Sequence, residues 1–173
     1  LSTDDLTASY DYSDPESNPQ YGSEIRWYAD DALQSDYNDQ LNVPASATAK
    51  GQKWYFTVTP KDGIAFGDLE TSGSVTILNA APTFTEIMIS PSPAFDGDTL
   101  TANPSGWFDN DGDSEGYQYQ WQILDGTWQN IGGQTSQTIG STNFETGDYV
   151  RVVCTADDGE DLGNTLMDTA WIV

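Results

Sequence analysis

The chain has 173 residues, enough for one or two domains, and 28 acidic against five basic side chains leave a net charge of −23. So acidic a surface repels nucleic acid and anionic lipid, which argues against both as partners, while it attracts cations and stays soluble in salt. Histidine is absent, which excludes Ser–His and Cys–His nucleophilic catalysis and His-ligated zinc.

In chain order, residues 6–12 read as a first strand. An acidic loop follows with Asp14, Glu16 and Asn18, and leads into a strand at 24–30 that contains Trp27. After a polar loop (32–40) and a short piece at 41–43, the strand 53–59 puts Trp54, Phe56 and Val58 on one face, because successive strand side chains alternate. Asp62-Gly63 is a hairpin turn signal, and 71–78 returns with Val75 and Ile77 inward. Asn79-Ala80-Ala81-Pro82-Thr83 is a short junction in which Pro82 fixes the backbone. Residues 84–90 open the second half with Ile87 and Ile89 inward. Strands then follow at 99–102, 117–124, 127–131, 138–139 and 149–156, a turn at Asp158-Gly159, and a last strand at 165–173. Gly, Pro, Ser, Thr, Asp and Asn interrupt nearly every window long enough for a helix.

The two halves repeat. Leu6-Thr7-Ala8 matches Leu100-Thr101-Ala102, and Trp27 matches Trp121 at the same spacing of 94; Gly51, Asp62-Gly63 and Gly67 match Gly147, Asp158-Gly159 and Gly163 at 96. Seven or so short strands per half, with turns every 8–12 residues, give an all-β fold of two tandem immunoglobulin-like β-sandwich domains. The expected bounds are 1–79 for a sandwich lacking its own first strand, 80–83 for the junction and 84–173 for the second sandwich. Leu1 aligns with Phe95, so the first half has no counterpart of residues 83–94, and Val173 aligns with Ile77. Two readings stay open: the segment is a window on a longer array, or a neighbouring chain inserts the missing edge strand.

Asp109, Asp111 and Asp113 alternate on a glycine-containing loop before the Trp121 strand, a spacing from which carboxylates converge on one calcium ion. Asp158 is the expected partner across space, with Asp157 and Glu160 as further oxygens. A site around Asp14, Glu16 and Asp62 is the first-half equivalent. The loop is not an EF-hand, since its sixth position is Ser114 and its twelfth Gln120. The bland alternative is a set of solvated turn residues, because Asp, Asn and Gly dominate turns.

Trp27 and Trp121 are expected to fill the sandwich centres. Trp107, Trp128 and Tyr37 lie in or beside loops, where they cap a core edge or meet a sugar or neighbouring subunit. Cys154 stands alone on an apolar strand face with Val150 and Val152, the position of a buried, inert thiol. No apolar run reaches 18 residues and no charged-then-apolar leader opens the chain, so no membrane insertion by this segment is expected.

The acidic loop before a tryptophan strand, the glycine-led aromatic strand ending in Asp-Gly, and the Asn79–Pro82 junction together resemble the tandem immunoglobulin-like (cadherin-like or polycystic-kidney-disease-like) repeats of large bacterial and archaeal surface proteins. The resemblance implies an extracellular, cell-surface setting and a non-enzymatic structural or adhesive role in a filament, surface layer or adhesin stalk. It implies as partners neighbouring repeats or identical subunits in a polymer, with a surface glycan or receptor for adhesion. It also implies calcium in the loops of some members. Pro15, Glu16 and Asn18 stand where the second half has Asn110, Asp111 and Asp113, so a first-half site is expected to be weaker. The alternative function is a carbohydrate-binding module of a secreted enzyme, using Trp107 or Trp128.

Overall fold

From Glu24 to Ala29 the side chains alternate between inside and outside, with Ile25, Trp27 and Ala29 buried. The same alternation runs through Tyr149–Asp157, where Val150, Val152, Cys154 and Ala156 are all fully buried. Strands of this kind are half-covered, so each must find a second sheet for its apolar face.

A computed structural model describes all 173 residues, which separate into two units, Leu1–Ala80 and Ala81–Val173. The first holds β1 (Leu6–Thr7), β2 (Glu24–Ala29), β3 (Ala32–Leu33), β4 (Asn42–Val43), β5 (Lys53–Thr59), β6 (Glu70–Thr71) and β7 (Val75–Thr76). The second holds β8 (Glu86–Ser90), β9 (Leu100–Ser105), β10 (Tyr117–Asp125), β11 (Thr127–Asn130), β12 (Thr138–Ile139), β13 (Tyr149–Asp157) and β14 (Leu162–Trp171). Helix is confined to three single 3-10 turns. The second unit packs a β12-β9-β8 sheet against a β11-β10-β13-β14 sheet, and the first packs β1-β4 against β3-β2-β5 with β6 and β7 both on β5. The fold is all-β, two tandem immunoglobulin-like sandwiches.

The repeat is visible in the register. Leu6 faces Val43 as Leu100 faces Ile139, and Trp27 faces Phe56 as Trp121 faces Val152. Each tryptophan sits at the centre of its core and donates its indole N–H to a loop carbonyl, Gln40 for Trp27 and Ser136 for Trp121, both at 2.9 Å. The matched glycines Gly63 and Gly159 have φ of 88° and 91°, a left-handed turn conformation that glycine adopts without a Cβ penalty. The cores are unequal, with eight buried residues in the first unit against fourteen in the second.

The structure corrects three expectations. The first strand ends at Thr7 rather than residue 12. The return strand of the first unit is broken into β6 and β7, and Val75, expected inward, is 49% exposed, although Ile77 is buried. Residues 32–33, expected as loop, pair with β2 in a hairpin whose central residues Asp30 and Asp31 both have positive φ, the backbone of a two-residue primed turn.

Burial pushes the Cys154 thiol up from 9.0 to about 11. At pH 8 that shift leaves on the order of 100-fold less thiolate than an unburied cysteine holds. Ellman's reagent is therefore expected to label the native chain at least ~100-fold more slowly than the denaturant-unfolded chain, a ratio read directly from the two absorbance traces.

Candidate metal centre

β10 and β13 pair from Tyr117↔Ala156 to Ile123↔Val150, so the loop entering β10 and the turn leaving β13 meet at one end of the second sandwich. The entering loop is curled by its own first carboxylate. Asp109 Oδ1 accepts the backbone N–H of Asp111 at 2.9 Å and of Asp113 at 3.0 Å. Asp109 Oδ2 is left buried with no hydrogen-bond partner. In the opposing turn Asp158 Oδ1 accepts the N–H of Glu160 and of Asp161, both at 2.7 Å.

This folding places one carboxylate oxygen from each of Asp109, Asp113 and Asp158 within 4.8 Å of the others. At that separation each pair of ionised carboxylates repels by on the order of 1–3 kcal/mol at an effective dielectric between 80 and 20. A divalent cation at the same point reverses the sign. The donors are all hard oxygens, partly buried and anionic, which fits calcium and not a thiolate- or imidazole-seeking metal. Asp111 lies on the same loop but outside the trio. Asp157 faces elsewhere, with Oδ2 accepting from the Gln118 amide at 2.8 Å and Oδ1 from the Gly159 N–H at 2.9 Å.

The first unit builds the same two loops with one change. Asp14 Oδ1 accepts the Asn18 N–H at 2.9 Å, as Asp109 accepts that of Asp113, and Asp62 Oδ1 accepts the N–H of Ile64 and Ala65 at 2.7 Å, as Asp158 accepts those of Glu160 and Asp161. Asn18, however, stands where Asp113 stands in the second unit. The backbone N–H of Ala65 and Ile64 hold the Asp62 carboxyl below its usual range, and the Asn18 amide adds a further hydrogen bond. Asp14, Glu16 and Asp62 do line one shallow cavity of about 240 Å³, but Lys61 lines it too. The Lys61 ammonium itself lies over the Phe66 ring, 4.4 Å from its centre, and the Asn18 amide hydrogen-bonds to Asp62, so the first-unit loops bring together two carboxylates and an amide where the second unit brings together three carboxylates.

The loop aromatics are engaged inside their own units. Trp107 stacks edge-on against Tyr117, 5.6 Å between ring centres, at the margin of the second core. Trp128 is covered on one face by the Arg151 guanidinium at 4.3 Å. Tyr37 is half-buried against the first core. A feature the residue types do not mark is an open groove beside β1, whose walls Trp54 and Phe56 read in the sequence as ordinary core. The alignment of β1 with β9, which does have a β8 beside it, is the signal that finds it.

No family model matches the chain, and no curated protein matches it. Among solved structures it is similar to the chicken interferon gamma receptor alpha chain, at 8% identity over 97% of this chain and 91% of that one, with a TM-score of 0.45. It is also similar to a segment of two fibronectin type-III domains from chicken tenascin, at 10% identity over 88% of this chain and 84% of that one, with a TM-score of 0.36.

Proposed function

We propose that this chain is a non-enzymatic structural and adhesive repeat module of an extracellular filament, surface layer or adhesin stalk, its second unit stiffened by a calcium ion held by Asp109, Asp113 and Asp158. The observation that carries the reading is the difference between two otherwise matched loop pairs. Where the first unit closes with the neutral Asn18, the second closes with a third carboxylate, and the buried Asp109 Oδ2 has no protein partner. Bound calcium ties the loop before β10 to the turn after β13, cross-linking two connections at one end of a sandwich that is otherwise free to fray there. The duplication of one sandwich supports a building-block role. The absence of histidine rules out Ser–His and Cys–His pairs, and the single thiol is buried.

The test is immunogold electron microscopy of the source cells with an antibody to this chain, before and after chelation. Gold is expected along ordered fibres or layers outside the cell, with their order loosened once calcium is stripped. Gold confined to the cell interior overturns the reading.

A further inference from the structure

The geometry points to a strand-accepting groove in the first unit, filled by an extended segment from outside these 173 residues that runs antiparallel to β1. It goes beyond the modular and calcium readings, which stand whether or not the groove is filled.

In the second unit β9 is paired on both sides, by β12 and by β8. In the first, β1 pairs with β4 in the matching register, and no strand lies on its other side. There a cavity of about 280 Å³ opens between β1 and the edge of the facing sheet, lined by Leu6, Trp27, Trp54, Phe56 and Val75 among others. The equivalent space in the second unit is taken by β8, whose Ile87 and Ile89 are buried in the core. The consequences of that difference are local. Leu100 is fully buried, whereas Leu6 is only half-buried; Val152 is fully buried, whereas its match Phe56 is not. β14 runs unbroken for ten residues, and its Asp168 accepts the Ile89 N–H of β8 at 2.7 Å. Its counterpart breaks into β6 and β7 around Ser72, whose hydroxyl instead accepts the Phe56 N–H at 3.0 Å.

The register of β8 on β9 says what the occupant is like. Ile89 faces Ala102 and Glu86 faces Ser105. By the repeat these partners correspond to Ala8 and Asp11. The occupant therefore places large apolar side chains at alternate positions, one of them over Ala8 and into the Trp27–Trp54 cavity. Opposite the exposed Asp11 an acidic residue is disfavoured and a basic one favoured, since like charges directly across a ladder repel and opposite charges attract. A copy of β8 itself brings Glu86 to that point, and a chain of net charge −23 repels its own copies, so a second copy is the disfavoured source.

The experiment uses the full chain and a synthetic peptide of the sequence of residues 83–90 carrying Glu86→Lys, with the unchanged peptide beside it. Saturable binding is expected, with a change in tryptophan emission and slowed amide exchange at residues 7–11. The Glu86→Lys peptide is expected to bind ~3–5-fold tighter than the unchanged one at low salt. The exposed Val75→Asp substitution, which leaves the fold's exchange pattern intact, is expected to abolish binding. Four results overturn the proposal: no saturation at millimolar peptide, equal binding by a peptide with Ile87→Asp and Ile89→Asp, equal binding to the Val75→Asp chain, or concentration-dependent dimers that protect residues 7–11 without peptide.

Discussion

Calcium at ~100 times its dissociation constant is expected to raise the melting temperature of the second unit by about 10–20 °C, and to leave the first unit's transition where it was. An ion that binds only the folded state at that excess stabilises by about 2.7 kcal/mol, and a domain of this size shifts by about 4–8 °C per kcal/mol. The asymmetry is the informative part. Both units carry the same pair of carboxylate-curled loops, and only the second closes with Asp113 in place of Asn18. Asp113→Asn rebuilds the first unit's arrangement, with an amide beside Asp158. The substituted chain is expected to fold at least as well without metal and to lose the calcium shift. Hydrogen exchange resolved along the chain reads the two units separately. Equal shifts in both units, or a shift that survives Asp113→Asn, contradicts the assignment.

Trp121→Ala is expected to cost the second unit about 3–5 kcal/mol, the range for emptying a fully buried tryptophan site, against a total of roughly 5–15 kcal/mol for a domain. Trp121 is fully buried, spans the gap between the sheets, and satisfies the Ser136 carbonyl, which the substitution orphans. Trp27→Ala removes the equivalent indole from a core of eight buried residues rather than fourteen, and with it the rings Trp54, at 6.5 Å, and Phe56, at 5.3 Å, lose their common neighbour. The smaller core has less to lose before it fails, so Trp27→Ala is expected to unfold its unit outright at 37 °C while Trp121→Ala leaves a weakened one. Exchange protection of β2 and β10 measures the two outcomes.

Among the strands read from the sequence are β2, β10 and β13, each with a neighbouring strand on both edges. β2 and β13 alternate cleanly because one side meets a core and the other is more open to water. Residues 8–12, Ala-Ser-Tyr-Asp-Tyr, alternate just as well and are not a strand. Ala8 is buried, but no neighbour completes the ladder, and pattern alone cannot supply one. Val75 misleads for the same reason, facing a space that nothing fills. The β2–β3 hairpin was hidden because Asp30-Asp31 takes the left-handed conformations usually marked by Asn-Gly. At the candidate metal centre, alternate spacing marks the loop but does not separate Asp113, whose carboxylate lies beside that of Asp158, from Asp111, which lies outside the trio. That choice depends on how Asp109 bends the loop through backbone hydrogen bonds, a tertiary detail that spacing does not encode.

The open edge of β1, on the side away from β4, is two residues long and begins directly after Asp4 and Asp5. Two residues give too few main-chain bonds to seed a spreading sheet, and the adjoining carboxylates discourage stacking of like copies. Concentrated solutions should therefore stay fluid instead of forming cross-β aggregates, even with that edge unpaired.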